Sequence, residues 1–343
     1  KALVIHPPGR VLKAPDWVSA DLHVHSGFSD DSGLPIQDRL AAFRAQGANI
    51  IVSTEHDRIV DYAPYLKDQG LEDHLTSVVG VEITTTVRNQ ETPFTAGHSN
   101  AFPVEFRPGE YRGGAPAAEG RRLRETIANQ RATGRRGIFQ LNPPRPAGGH
   151  LATPDDGDFL THLSTGDGPY DPTLPLDAKP NRNLVEADPR SGLRDLDFDA
   201  MELLNGSSMP AYWANRADWF SFLLQGEIRT ATANSDSHTL GHLVALPLNY
   251  VAMKARAPFD EAAFVKAIAE GRSYGTTGPL LDIRLGTAEI GQRHTGRQGI
   301  LQIGVKAAHW IPVTEARVYI NGRLDQRRPI QAGSTATVPL TFD

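Results

Sequence analysis

The chain has 343 residues and no cysteine. Disulfide frameworks, thiolate metal sites and cysteine nucleophiles are therefore excluded, and any metal must be held by histidine and carboxylate. Long hydrophobic runs are missing as well. No apolar stretch approaches the roughly 20 residues that span a bilayer, so no membrane partner is expected. An excess of basic charge is also absent: 35 Lys and Arg stand against 40 Asp and Glu, a net charge of -5, which leaves no electrostatic footprint for nucleic acid. No glycine-rich phosphate loop ending in lysine occurs. Gly206-Ser207-Ser208 does not complete a nucleophile elbow. Asp195, Asp197 and Asp199 alternate as in a calcium loop, but Ala200 stands where such a loop needs glycine and Gly206 where it needs glutamate. The chain begins at Lys1 without an initiator methionine. That raises the expectation of an upstream segment removed before this point, and the compartment is left open.

What is present reads as an α/β protein. Apolar content of 39% with 22% charged residues fits a soluble globular chain, long enough for one large domain with an appendage or for two ordinary ones. Strand-like runs at 21–25, 49–54, 76–85, 137–142, 200–204 and 228–233 alternate with helical patterns at 35–46, 121–131, 213–224 and 260–270. The first helix opens at Pro35, sets Ile36, Leu40 and Phe43 on one face and stops at Gly47. Two stretches, 103–119 and 143–194, are rich in Gly, Pro and Asp and are expected to be long loops of the lid or specificity kind. From 279 to 343, short alternating runs at 281–285, 301–305, 316–320 and 335–341 predict a small β-rich domain.

The chemistry gathers at the ends of the strand-like runs. His23 and His25 are separated by one residue, and alternate positions of an extended chain point the same way, so both imidazoles can meet one ion. By chance about 0.4 such pairs are expected in a chain of this histidine content, so the pair alone is weak. It is strengthened by Glu55-His56-Asp57, by Glu82 at the end of an apolar run, by His98, and by Asp236-Ser237-His238, which repeats the alternation. In parallel α/β barrels the site is built at the carboxyl ends of several strands, so these segments can converge on one mouth. Five histidines with Asp30, Glu82 and Asp236 form the inventory of a multinuclear hydrolase site, with Glu82 the candidate bridge. A Glu buried there without a cation would cost several kcal/mol. His6, His74, His150, His162, His294 and His309 lack such surroundings.

Taken in order, Asp21-Leu-His-Val-His-Ser with Ser29-Asp30, Thr54-Glu55-His56-Asp57, Gly80-Val81-Glu82, Gly97-His98 and Ser235-Asp236-Ser237-His238 resemble the PHP superfamily, metal-dependent phosphoesterases named for polymerase and histidinol phosphatase domains. The segment 269–279 and the β-rich tail resemble more narrowly the CehA/McbA-type branch, whose best-known members cleave an aryl carbamate insecticide. The resemblance implies a distorted TIM-like barrel of seven βα units over 21–278, preceded by a lead-in over 1–20. It implies one metal on His23, His25, Glu82 and Asp236, a second on Asp30, His56 and His238, with Asp31 competing with Asp30, and a remaining site at Glu82 and His98. Where members carry Asn-His-Pro, this chain has Asn142-Pro143-Pro144, so an expected ligand is missing and the count is two or three divalent ions, Zn, Mn or Fe. The implied reaction is hydrolysis of a small-molecule ester by metal-activated water, with Glu82, Asp236 and His238 at the reacting centre. Arg145 is the candidate for neutralising an anionic substrate, and His242 or Asp57 for moving a proton; Glu55 and Asn205 are expected to support the ligands. A phosphate ester is the first expectation, a carboxyl ester or carbamate the second, and a catalytically degenerate metal-binding module the third.

Overall fold

The computed structural model describes residues 12–85, 97–134, 136–145, 170–255 and 257–342. His6, His150, His162 and residues 146–169 of the second long loop lie outside them. The first sheet takes its central strands from β1 (Trp17–Asp21), β2 (Ile50–Ser53) and β3 (Thr76–Val79), which run parallel. Between them lie α1 (Ile36–Gln46), closed by Gly47 in the left-handed conformation, and the short α2 (Ala63–Asp68). At Gly80 the chain leaves this sheet for a second one. A Cβ there would stand 2.8 Å from Val52 Cγ1 and 3.1 Å from the Ser53 carbonyl, so only glycine allows the crossing.

The second sheet follows as β4 (Val81–Thr85), β5 (Gly97–Phe102), β6 (Ile138–Leu141), β7 (Ala200–Asn205) and β8 (Thr230–Asn234), in that spatial order. Its helices are α3 (Leu123–Arg131), α4 (Arg182–Val185) and α5 (Met209–Leu224). The chain then returns to the first sheet as β9 (Leu248–Ala252) and, after α6 (Glu261–Ala269), as β10 (Ser273–Thr276), giving the order β10-β9-β1-β2-β3. Buried on both faces, β2 and β6 are apolar almost throughout, as strands covered by helices and by a facing sheet must be. Ala20, Ile50, Phe102, Ile138 and Val251 from the two sheets meet under Phe264 and Ile268 of α6 to form the core between them.

The sheets do not close into one barrel among the described residues, which corrects the expectation of a seven-unit TIM-like ring. Between β8 and β9 the side chain of Asn249 takes the place of a backbone ladder, accepting from Ala233 N at 3.0 Å and donating to Ala233 O at 2.8 Å. On the same side Val24, past β1, forms an isolated parallel bridge with Ser237, past β8; at the other seam His56 bridges Glu82, beside backbone hydrogen bonds from Gly80 N to Ser53 O at 3.1 Å and from Val104 N to Val79 O at 2.9 Å. Both bridges lie at the carboxyl ends of the central strands, where the histidines are.

The remaining strands are β11 (Leu280–Leu285), β12 (Ala288–Glu289), β13 (Gln298–Lys306), β14 (Glu315–Ile320), β15 (Arg323–Pro329) and β16 (Thr335–Thr341). They pair antiparallel as a four-stranded sheet, β12-β11-β13-β16, and a β14–β15 hairpin around their own core of Ile303, Val305, Val318, Ile330, Val338 and Leu340. Arg216 of α5 joins this unit to the rest, its guanidinium 4.3 Å from the Trp213 ring and 4.8 Å from that of Tyr319.

Candidate metal centre

His23 and His25 lie just beyond the end of β1, where the chain is held extended by Val24: its N–H donates to Thr54 Oγ1 at 2.8 Å and its carbonyl accepts from the same hydroxyl. Arg39, fully buried on the inner face of α1, donates to the His25 carbonyl at 2.7 Å and to the Ser237 carbonyl at 2.6 Å. One guanidinium thus fixes the first and last ligand loops together. Across from them Asp236 stands with φ 45°, a left-handed backbone that is rare outside glycine, held by its N–H on the His23 carbonyl at 2.9 Å.

Around these loops the ligand atoms converge. His23 Nε2 lies 3.1 Å from Glu82 Oε1 and 3.2 Å from Asp236 Oδ1; His25 Nε2 lies 3.2 Å from Glu82 Oε2 and 3.0 Å from Asp236 Oδ1. His56 Nδ1 is 3.0 Å from Glu82 Oε2, and His98 Nδ1 is 3.0 Å from Glu82 Oε1. Asp31 Oδ2 sits between His56 Nε2 at 3.2 Å and His238 Nε2 at 3.1 Å. Three overlapping groups have the spacing of cation sites: His25, Asp31, His56 and His238; His23, His25 and Asp236; and His56, Glu82 and His98.

The donor set suits divalent ions. His25 Nε2, Glu82 Oε2 and Asp236 Oδ1 are buried and have no partner in hydrogen-bond geometry, although they face one another, an arrangement that costs free energy unless a cation or a proton stands between them. The titration of the groups shows the same demand for positive charge. Burial alone raises the Glu82 carboxyl, but His23, His56 and His98 outweigh it and hold it well below the usual carboxylate range. Burial pulls the His25 imidazole down, and Asp236 and Glu82 reverse that to about 9. His23 is likewise lifted well above its ordinary value against its burial, by Asp236, Glu82 and Glu202. A nitrogen and oxygen set of this kind is suited to holding divalent cations.

Several expected residues stand elsewhere. Asp30 points outward, 84% exposed, and meets only Arg112 at 3.6 Å; its neighbour Asp31 takes the place between His56 and His238. Arg145 is buried away from the mouth. Its Nε and Nη2 donate to Asp218 at 2.6 and 2.7 Å and its Nη2 also reaches the Tyr170 carbonyl, so the protein itself engages three of the five guanidinium hydrogens. His242 lies on the exposed turn after His238, its Nδ1 accepting from His238 N at 3.1 Å. Asp57 faces inward, taking a hydrogen bond from Thr84 N at 3.0 Å. Glu55 receives the hydroxyls of Ser26, Ser29 and Tyr62, and Asn205 donates to Asp236 Oδ2 at 3.0 Å.

Glu202 was not singled out from the sequence, yet it is fully buried behind His23, 3.2 Å from Nδ1. The signal was the one that marked Glu82: a lone acid inside an apolar strand, here Ala200-Met201-Glu202-Leu203-Leu204.

No protein-family model matches the chain, and no curated protein does. Among solved structures, it is similar to a two-domain protein from Bacteroides vulgatus described as containing a predicted PHP-like metal-dependent phosphoesterase, with 15% identity over 95% of this chain and 86% of that one and a TM-score of 0.48. It is similar also to an amidohydrolase from Chromobacterium violaceum, with 14% identity over 65% and 88% of the two chains and a TM-score of 0.36. A third is the lesion-specific endonuclease EndoQ from Pyrococcus furiosus, with 17% identity over 74% and 56% and a TM-score of 0.37. Overlaps of this degree leave the chemistry to be read from the side chains.

Proposed function

We propose that the chain is a metal-dependent hydrolase of the PHP type, acting on a small phosphate ester. The observation that carries this reading is the convergence of buried, unpartnered His25 Nε2, Glu82 Oε2 and Asp236 Oδ1 at the junction of two sheets. His23, His25, Glu82 and Asp236 would hold one divalent ion, and Asp31, His56 and His238 a second. Divalent ions held by these residues would supply a water with its pKa lowered from about 15.7 to about 7 and a counter-charge for oxygen. The chain's own residues do the rest. Glu202 and Ser29 orient the two leading imidazoles through their Nδ1 atoms. With Arg145 turned inward, Arg112 is a cation of the described residues that could receive an anionic group on the substrate, standing on the 103–119 loop 3.6 Å from Asp30. His242, on the exposed turn beside His238, is placed to pass a proton to the leaving group.

A carboxyl ester or carbamate substrate is the second reading. It is favoured by Leu240 and Leu243, 69% and 63% exposed on the turn that carries His242, which offer an apolar surface to an aryl group. Parallel rates on p-nitrophenyl phosphate, its bis-ester and an aryl carbamate separate the readings, each measured before chelation, after it, and on return of Zn or Mn. The phosphate reading expects the monoester to lead, activity to vanish on chelation, and Arg112→Ala to raise KM for the monoester about tenfold while sparing the carbamate. Metal-loaded protein inert on all three would instead leave a metal-binding module.

A further inference from the structure

The ring nitrogens of the centre can be assigned from the groups they touch. A neutral imidazole carries one N–H and one lone pair, so each histidine offers one nitrogen to one cation. His23 directs its Nδ1 hydrogen to Glu202, and His238 directs its own to the backbone oxygen of Asp236 at 2.9 Å. His25 donates to Ser29 Oγ, whose own hydrogen goes to Glu55. All three leave Nε2 facing the centre. His56 belongs to two candidate groups, through Nε2 beside Asp31 and His238 and through Nδ1 beside Glu82 and His98. Thr84 Oγ1, 2.7 Å from Nδ1, can receive a hydrogen there, and that tautomer keeps the lone pair on the Nε2 side. With His56 committed in this way, Glu82 and His98 are the two ligands of that group among the described residues.

Among the described residues, the Asn142 amide meets this group with a hydrogen-bond donor. Asn142 Nδ2 lies 2.7 Å from Glu82 Oε1 and 3.0 Å from Asn100 Oδ1. The amide cannot be reversed, because its neighbours fix it from both sides. The Leu22 carbonyl can only accept, so Asn100 presents Nδ2 to it at 2.9 Å and turns Oδ1 toward Asn142. On the other side Asn142 Oδ1 accepts from Gln140 Nε2 at 3.1 Å, and Gln140 Oε1 in turn accepts from Thr232 Oγ1 at 2.9 Å. Asn100, Gln140, Asn142 and Thr232 are all buried, beyond the reach of solvent that might reorient the chain of amides. Pro143, next along, offers no side-chain ligand.

We infer that the centre holds two divalent cations and that the side-chain amide of Asn142 stands in for a third, its N–H placed on Glu82 Oε1 where a further ion would bind. The inference rests on the metal-dependent reading above and commits it to a number. An amide hydrogen supplies the positive end of a dipole to Glu82 without adding a formal charge, and it repels a cation from the same oxygen. His98 becomes a hydrogen-bond partner of Glu82 instead of a ligand.

Metal content decides it. The full chain is loaded with excess Mn²⁺ or Zn²⁺ alone, desalted, and its ions counted per chain by mass spectrometry. Two ions are expected in the native protein and in His98→Ala, and three in Asn142→Asp, where a carboxylate replaces the donor. Three ions in the native protein overturn the inference, as does one, or a folded Asn142→Asp variant that stays at two. A His98→Ala variant that drops to one ion overturns it as well, since His98 would then be a ligand. If Asn142→Asp does not fold, the native and His98→Ala counts decide alone. No ion at all would remove the metal-dependent reading itself, a result distinct from a wrong count.

Discussion

Glu202 faces His23 Nδ1 from a position with no solvent exposure, its two carboxylate oxygens 3.3 and 3.2 Å from that nitrogen. The contact fixes the tautomer that leaves Nε2 bare toward Glu82 and Asp236. Asn234 and Asn205 donate to the same carboxylate at 2.7 and 3.2 Å, so Glu202 is held by two amides while it holds the imidazole. Replacing it with glutamine turns an N–H₂ onto one of these donors or onto the ring. Glu202→Gln is therefore expected to weaken metal binding about 10- to 100-fold, the usual effect of losing a partner behind a ligating histidine. A chelator competition titration measures this directly, and unchanged affinity would show that His23 does not need the carboxylate.

Asp31 and Asp30 are adjacent in sequence and differ in surroundings. Asp31 stands within 3.2 Å of two imidazoles, whereas Asp30 is 84% exposed and reaches only Arg112. Asp31→Asn should release one ion per chain and abolish most hydrolysis, while Asp30→Asn should keep the native metal content. Elemental analysis of both variants is sufficient. Loss of metal from the Asp30 variant with retention in the Asp31 variant would restore the assignment made from the sequence motif.

The different outcomes for Asp30 and Glu82 show what a sequence carries. Glu82 was legible because an acid at the end of an apolar strand has few stable explanations, and the alternation of His23 with His25 was legible because extended chain has a period of two. The helices at α1 and α6 were readable from their apolar faces and their closing glycines. The choice between Asp30 and Asp31 depends on the path of one turn, which no periodicity encodes. The open seams between the sheets were hidden for another reason: they depend on a side chain, Asn249, occupying a place where a ladder would otherwise form. The start of α5 at Met209, four residues before the expected one, follows from Pro210 in the first turn, a signal that was present and passed over. That Arg145 meets Asp218 was not legible, because a cation following a motif looks the same in sequence whether it turns toward solvent or toward a buried acid.

The pairing of Arg145 with Asp218 makes the last expectation a matter of stability instead of rate. Both side chains are nearly fully buried, with two donor contacts to one carboxylate and a third to the Tyr170 carbonyl. Removing one partner leaves the other charge buried without its counter-ion, which costs about 3–5 kcal/mol, whereas replacing both with apolar residues of similar volume is close to neutral. Arg145→Met should accordingly lower the denaturation midpoint sharply, and Arg145→Met with Asp218→Leu should recover most of it. Per folded molecule, KM for p-nitrophenyl phosphate should stay within about threefold in the double variant, since such a change is under 1 kcal/mol of binding. If Arg145 instead received the substrate's negative charge, the double variant would regain its stability and still show a raised KM. Urea denaturation and steady-state kinetics on the same preparations therefore separate a structural arginine from a substrate-binding one, and the contacts to Asp218 and Tyr170 favour the first.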